Sequence, residues 1–343
     1  MKEGLKIMDF YIGSYTRMGG PGVGKCRLEG DKLSLLCNDP LPNSSYVILN
    51  AKQNKLFAIC SDPVHSSEGG SVASYDLKDG GLTQLSRQDT LGAGPCHLCF
   101  SPDEKFLYTA NYFTGSLSVF KVDEEGKISH CVQHICHEGK SVHPVRQTGP
   151  HVHQVTLIPG TNLVCCVDLG LDALMVYQPD EKTGMLKFYS RTDIPAGYGP
   201  RHLIHAKHGI TYLACEVGNQ AISMRWNGEK FDLLQILPTL PEDYTQNSTA
   251  SAIRLSSDEK KLMISNRGHD SIAIYDLDKQ GGMKLNSIVK TSGGFPRDFA
   301  LVDDETMLIG HQEAKLTLEK FVDGQLKLVS DLDIKGCICT LIP

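Results

Sequence analysis

The 343-residue sequence lacks several features that would place it in other protein classes. It contains no run of about 18 apolar residues, which excludes a membrane-spanning helix, and its first residues lack the apolar stretch of a secretory signal. Its 34 basic and 40 acidic residues give a net charge of -6, with no long block of like charge. This excludes the basic surface by which proteins bind nucleic acid or anionic membranes. We therefore expect a cytoplasmic protein with a small-molecule partner.

The twelve cysteines also lack a recognisable pattern. They form no pair of CxxC motifs at the spacing of a zinc site, and two of them, Cys165 and Cys166, are neighbours. In a cytoplasmic protein we expect reduced thiols. Because free cysteine behaves as a small apolar residue, we predict that the following cysteines are buried in strands. They are Cys99, Cys165, Cys215 and Cys337.

Helical periodicity is scarce, and a repeat of about fifty residues dominates the chain. The repeat is marked by corners that contain Pro42, Pro95, Pro150, Pro200 and Pro296. The first three steps between these prolines are 53, 55 and 50 residues, and the remaining 96 residues span two repeats with a corner at 247–252. β-patterned runs separated by polar turns follow each corner, and an aromatic residue closes the second run. These aromatics are Tyr75, Phe120, Tyr177, Trp226, Tyr275 and Phe321.

A fifty-residue unit of four short strands is typical of a β-propeller blade. The chain length predicts about seven such units, because 343 residues divide into seven repeats of about fifty. We therefore predict an all-β fold, a single seven-bladed β-propeller domain over residues 1–343 with four-stranded antiparallel blades around a central channel. Closure of the ring is expected from residues 5–15 pairing with C-terminal strands such as 337–341. The histidine-rich segment 130–147 departs from the repeat, and we predict a surface loop there.

Residues at the same phase of different blades meet at one mouth of the channel. The corner phase contains His97, His151, His153, Arg201, His202 and Arg297. The turn after the first inner run contains Asn111, Asp168, Glu216, Asn266 and Arg267. Arginines 201, 267 and 297 would form a cluster able to bind a carboxylate or a phosphate. Glu216 and His151 are then candidates for proton transfer, because neighbouring arginines tune their pKa values.

Other interpretations of these residues stay open. The arginines and Glu216 could form ion pairs between blades, and the corner histidines could fix turns by bonding to carbonyl groups. For Asp168 and Asp172, hydrogen bonding within the turn is the favoured role. Oxygen ligands for calcium are available from Asn111, Asp168, Glu216 and Asn266. Three arginines at the same mouth disfavour a divalent cation, so we expect no metal.

The motifs themselves carry a family resemblance. The matching stretches are YIGSYT (11–16), GPCHLCFSPDEKFLYTANYFTGSLSVF (94–120), RQTGPHVHQV (146–155), VDLGLDALMVY (167–177), GPRHL (199–203), CEVGN (215–219), SNRGHDSIAIY (265–275) and GGFPRDF (293–299). In this order they resemble the lactonase family of seven-bladed β-propellers, which includes bacterial 6-phosphogluconolactonases of the cycloisomerase type and fungal carboxy-cis,cis-muconate lactonizing enzymes. The chain departs from the family pattern at 59–75, which lacks the usual glutamate after the first inner strand, and at Cys96. Both differences concern the pocket wall.

The resemblance implies a cofactor-free enzyme whose active-site positions fall on His151, Arg201, Glu216 and Arg267. The leading hypothesis is a lactonase, a carboxylic ester hydrolase that acts on a small anionic sugar lactone. We expect 6-phospho-D-glucono-1,5-lactone as substrate, with 6-phosphogluconate of the pentose phosphate pathway as product. The alternatives are a lactonizing cycloisomerase that acts on a carboxylated, muconate-like acid, and a non-catalytic propeller that binds protein or carbohydrate. The sequence makes no prediction of the oligomeric state.

Overall fold

Short alternating strands form seven antiparallel sheets in the computed structural model, which describes residues 7–61 and 69–343. Blade I begins with β1 (Ile7–Ser14), β2 (Val23–Glu29) and β3 (Lys32–Asp39). Blade II contains β4 (Val47–Leu49), β5 (Lys55–Cys60), β6 (Ser71–Asp76) and β7 (Thr83–Asp89). Blade III contains β8 (Pro95–Phe100), β9 (Phe106–Asn111), β10 (Ser116–Val122) and β11 (Ile128–Cys136). Blade IV contains β12 (Val152–Leu157), β13 (Val164–Asp168), β14 (Ala173–Pro179) and β15 (Leu186–Asp193).

The remaining three blades follow the same order. Blade V contains β16 (Pro200–His205), β17 (Ile210–Cys215), β18 (Gln220–Trp226) and β19 (Phe231–Pro238). Blade VI contains β20 (Thr249–Leu255), β21 (Lys261–Arg267), β22 (Ser271–Leu277) and β23 (Met283–Lys290). Blade VII contains β24 (Pro296–Leu301), β25 (Thr306–His311), β26 (Leu316–Val322) and β27 (Gln325–Leu332), and β28 (Cys337–Leu341) completes blade I. The seven-bladed prediction is confirmed. The described chain has two 3-10 turns, Thr16–Met18 and Lys78–Gly80, and no helix long and apolar enough to cross a bilayer.

The two ends of the chain close the ring. Strand β28 pairs antiparallel with β1, with Tyr11 opposite Leu341 and Ile12 opposite Thr340. The innermost strands of neighbouring blades contact one another all the way round, from β28 through β4, β8, β12, β16, β20 and β24 back to β28. The predicted closure is confirmed for the described strands, whereas residues 5 and 6 lie outside the described chain.

Apolar side chains between the blades form the core. Each of seven buried clusters combines residues of two neighbouring blades, so every blade covers both of its faces. Burial of one such aromatic or aliphatic side chain contributes about 1.5–3 kcal/mol. All twelve cysteines are free; Cys165, Cys215 and Cys337 are buried in strands as predicted, and Cys99 is half-buried.

Residues 130–147 do not form one surface loop, and that prediction was wrong. His130 and His134 lie in the outer strand β11, and the buried His137 bonds through Nδ1 to Asp168 Oδ2 at 2.6 Å. The hydroxyl of Tyr177 lies 2.8 Å from the other ring nitrogen. The polar sequence of β11 is the pattern of an outer strand with one solvated face. Only the residues after it leave the blade, and they cross toward the channel mouth.

Candidate active site

A β-bulge in the innermost strands sets the wall of the channel. The strand register shifts at the same place in several blades, between Pro95 and His97 and between Pro200 and His202, for example. A bulge leaves one residue unpaired and re-aims its side chain. The bulged residues Cys96, His153, Arg201, Arg297 and Ile338 all line a narrow inner recess of the channel, of about 20 Å³. Five of the seven blades thus direct a bulged side chain inward.

The ends of the second strands of several blades supply part of the outer wall. Tyr112 and Glu216 follow the ends of β9 and β17, Arg267 ends β21, and all three line a cavity of about 470 Å³. We call it the outer cavity. Its volume is that of a small-molecule site. Asn111, Asp168 and Asn266 lie one position earlier in their strands, and successive residues point to opposite sides of a strand. That step of one residue separates cavity-lining from blade-lining side chains.

Glu216 is the centre of a charge cluster in the outer cavity. Its side chain is 4% exposed, and Oε2 lies 3.0 Å from Arg201 Nε and 2.7 Å from Arg267 Nη2. Oε1 accepts a hydrogen bond from Arg146 Nη2. The backbone N–H of Glu216 donates to the carbonyl of Gly199 at 2.7 Å, which fixes the turn. One carboxylate thus meets three guanidinium groups from different parts of the ring.

The cluster determines the protonation of Glu216. Burial alone raises the pKa of this carboxyl, but Arg267, Arg201 and Arg146 outweigh it and hold the pKa well below the usual value. Burial lowers the pKa of Arg201 and of Arg267, and their mutual repulsion with Arg297 acts in the same direction. Guanidinium groups nevertheless stay protonated in proteins. The pairs with Glu216 therefore leave a positive surplus, which an anionic ligand would offset.

Arg146 was not predicted as a site residue. This residue lies in the segment that crosses from β11 to β12, and its Nη2 also donates to the Tyr112 hydroxyl at 3.2 Å. Burial lowers its pKa, but the neighbouring Glu216 raises it further, so the net shift is upward. The available signal was its place in the stretch 146–155, directly before a corner of the repeat. Its exposure of 34% makes it the most accessible of the three arginines on Glu216.

Three histidines pack against one another next to this cluster. The ring of His202 meets those of His97 and His153 edge to face, with centroids 5.3 and 5.0 Å apart. Burial, reinforced by Arg201, lowers the pKa of His97 to about 3 and those of His153 and His202 well below the usual value. All three imidazoles are therefore neutral at pH 7. His153 also lines the outer cavity and lies 3.9 Å from Glu216 Oε2.

His151 lies beside the outer cavity, stacked on Tyr112 with a centroid distance of 4.4 Å. Its Nδ1 is 2.8 Å from the backbone carbonyl of Tyr112. A carbonyl only accepts hydrogen bonds, so Nδ1 carries the proton and Nε2 is the atom that can exchange one. The backbone N–H of His151 donates to Asp168 Oδ1 at 2.8 Å, which holds the corner.

The other predicted polar residues serve the blades. The fully buried Asp168 accepts from the N–H groups of Gly170 and Leu171 in addition to His151, and Asp172 accepts from Gly197 and Gly199. This is the favoured turn-bonding role. The amide nitrogens of Asn111 and Asn266, also fully buried, donate to Ser118 and to the Thr239 carbonyl. Their placement argues against contact with a ligand. Within the described residues no group of three His, Cys, Asp or Glu side chains is arranged to hold a metal ion.

Comparison with known proteins gives a consistent result. The family model described as lactonase, 7-bladed beta-propeller, matches residues 9–334. The chain is 34% identical over 315 residues to a 6-phosphogluconolactonase of Bacillus subtilis, covering 88% of this chain and 87% of that protein. It superposes with a TM-score of 0.90 on a periplasmic gluconolactonase of Pseudomonas aeruginosa (26% identity, 98% and 100% coverage). A Lactobacillus plantarum protein gives the same TM-score at 27% identity and the same coverage. The chain belongs to the lactonase family of seven-bladed β-propellers and is an enzyme of that class.

Proposed function

We propose that this protein hydrolyses a sugar lactone, with 6-phospho-D-glucono-1,5-lactone as substrate and 6-phosphogluconate, an intermediate of the pentose phosphate pathway, as product. A named 6-phosphogluconolactonase at 34% identity supports the reaction class. The observation that carries the proposal is the ionised Glu216 among three guanidinium groups in a ligand-sized cavity. Such a site combines a proton acceptor with groups that bind an anion.

The arginines would stabilise the charge that develops during hydrolysis. As water attacks C1 of the lactone, the carbonyl electrons move onto the carbonyl oxygen, which becomes an oxyanion. Arg201 and Arg267 would offset that charge, and such preorganised donors supply about 3–4 kcal/mol each in other hydrolases. Collapse of the intermediate breaks the bond between C1 and the ring oxygen and leaves a carboxylic acid, which releases its proton to water to give the carboxylate.

Glu216 would act as the general base that takes the proton of the attacking water. Its pKa, lowered by the arginines, keeps it ionised, which suits a proton acceptor and not a donor. A low pKa also makes it a weak base. An anionic substrate that draws a guanidinium away would raise that pKa and strengthen the base, and the exposed Arg146 is the group most free to move.

The departing ring oxygen needs a proton. We assign its delivery to His151, whose Nδ1 is held by the Tyr112 carbonyl. Its Nε2 would take up the proton that Glu216 removes from water and pass it to the ring oxygen. His153 is the competing candidate, because it lines the outer cavity. Substituting each with glutamine separates them: a loss of kcat that is much larger in His151→Gln than in His153→Gln supports the assignment, and the reverse order assigns the role to His153.

The decisive experiment measures consumption of 6-phosphogluconolactone by the parent and by Glu216→Gln and Arg267→Met, against the spontaneous rate at pH 7. We expect clear turnover in the parent and a loss of about a thousandfold in Glu216→Gln, the middle of the range for a general base. Unchanged turnover in both variants would remove these residues from catalysis. A parent that cyclises a muconate-like acid, or that binds a glycan without turnover of any lactone, would favour the alternative functions.

A further inference from the structure

Two further arginines line the outer cavity without a carboxylate partner among residues 7–61 and 69–343. Arg17 and Arg297 both lie on its wall, yet neither forms an ion pair there. By contrast, Arg146, Arg201 and Arg267 share Glu216, and Arg254 pairs with Asp298 at 2.6 Å. Arg17 is exposed to water, whereas Arg297 is half-buried, so Arg297 carries a partly desolvated charge that an anionic ligand would offset.

The ring of Tyr15 lies next to both guanidinium groups. The Cζ of Arg17 is 4.0 Å and that of Arg297 is 5.7 Å from the ring centroid. Arg297 also donates from Nη1 to Gln312 Oε1 at 3.2 Å. Stacking on an aromatic face holds a guanidinium in place and leaves its N–H groups available to an oxyanion.

The fold fixes the backbone of both residues. Arg17 lies in the 3-10 turn Thr16–Met18, and its N–H donates to Asn43 Oδ1 at 3.2 Å. The N–H of Asn43 donates in return to the hydroxyl of Thr16 at 3.2 Å. Arg297 occupies the bulge position of β24. The turn of blade I and the inner strand of blade VII thus place two cations on the same cavity.

We propose that Arg17 and Arg297, with Tyr15 beside them, form a phosphate subsite that selects a phosphorylated sugar lactone over its unphosphorylated counterpart. The inference rests on the proposed function, which places the reacting carbonyl at Glu216. A phosphate on C6 lies at the opposite end of the sugar from C1, so the cavity needs a second anion-binding position. Two guanidinium groups match the double charge and the oxygen geometry of a phosphate monoester.

The test compares kcat/KM for 6-phosphoglucono-1,5-lactone and for glucono-1,5-lactone. In Arg17→Met and Arg297→Met we expect a loss of about 10- to 100-fold on the phosphorylated substrate, the effect of one charged hydrogen bond, and little change on the other. Arg297→Lys should recover part of the loss. The matched control is Arg191→Met, since Arg191 lies in β15 with Asp193 as its partner at 2.6 Å; both substrates should be unaffected.

Equal losses on both lactones, or no loss on either, would overturn the subsite. Direct binding separates this result from failure of the proposed function. If the parent hydrolyses neither lactone, calorimetry with 6-phosphogluconate and gluconate decides: preference for the phosphorylated ligand that disappears in Arg297→Met supports the subsite. Equal affinity for the two ligands refutes it.

Discussion

Glu216 and Glu319 are both buried glutamates, but their surroundings differ in kind. Glu216 in blade V meets three guanidinium groups at the wall of a cavity. Glu319 lies in β26 inside blade VII, where Oε1 accepts from the hydroxyls of Thr317 at 2.8 Å and Ser292 at 2.5 Å. The backbone nitrogen of Ser292 lies 3.2 Å from each carboxylate oxygen of Glu319, and His311 Nε2 lies 3.5 Å from Oε1.

Glu319 has the surroundings of a carboxylate that stabilises the fold, whereas Glu216 has those of the general base that we propose. Burial raises the pKa of Glu319, while His311, Ser292 and Thr317 lower it by more. Those partners satisfy its oxygens within the blade, so no further ligand is needed. Around Glu216, three positively charged guanidinium groups meet one negative carboxylate, and the excess positive charge lies at the cavity wall. Glu216 and Glu319 are therefore both buried and both have a lowered pKa. They differ in the net charge of the groups that contact them.

The largest expected effect is that Glu216→Gln and Glu319→Gln change different properties: the first lowers kcat, and the second lowers the free energy of unfolding. Glu319→Gln should lower the free energy of unfolding by about 1–3 kcal/mol, because charged hydrogen bonds inside the blade are lost, and should leave kcat unchanged. Glu216→Gln should lower kcat by about a thousandfold. Urea unfolding and lactone turnover on the same preparations measure both quantities. A Glu319→Gln protein that folds but loses turnover as strongly as Glu216→Gln would remove the distinction.

The repeat made the fold predictable. Every blade has to bury the same two faces, so corners and closing aromatics such as Phe120 and Tyr275 recur at one spacing and indicate seven units. The outer strand β11 was missed because its solvated pattern resembles a polar loop. Its histidines interrupt the alternation of apolar residues by which the other strands were predicted.

The site was predictable only in part, since phase along a blade does not show which face a side chain occupies. Asn266 and Arg267 are neighbours in sequence, yet the first lies inside blade VI and the second on the cavity wall. The bulges that aim His153 and Arg201 inward depend on pairing between strands. Arg146 was missed because its segment lies outside the repeat.

Asp168 sharpens the comparison as a third buried carboxylate. It accepts from three backbone N–H groups and from His137, so we assign it to the structural class with Glu319. Asp168→Asn should reduce stability by about 2 kcal/mol through loss of charged hydrogen bonds, with turnover much less affected than in Glu216→Gln. Thermal melts and kcat at 25 °C provide the readout. A loss of turnover without loss of stability would move Asp168 into the catalytic group.

The pH dependence of stability offers a smaller effect, which comes from the buried histidines next to Glu216. Burial and Arg201 lower the pKa of folded His97 from 6.5 to about 3. Between these values the unfolded chain binds a proton that the folded chain does not, so stability is full above pH 6.5 and falls as the pH drops toward 3. His97→Gln should reduce the slope by up to about 1.4 kcal/mol per pH unit. Urea titrations at pH 7, 6 and 5 test this above the range where Glu216 and Glu319 protonate; an unchanged slope contradicts it.

The smallest effect is expected from an exposed carboxylate that has a charged partner but no burial. Glu305 lies 3.6 Å from Lys320, and their side chains are 70% and 48% exposed. Water and salt screen such a pair, so Glu305→Gln should change stability by less than about 0.5 kcal/mol and leave turnover intact. Melts in low and high salt check the result. A loss of unfolding free energy as large as that of Glu319→Gln would show that ion pairing without burial determines what these glutamates contribute to stability. The distinction between Glu216 and Glu319 by the charge of their partners would then no longer hold.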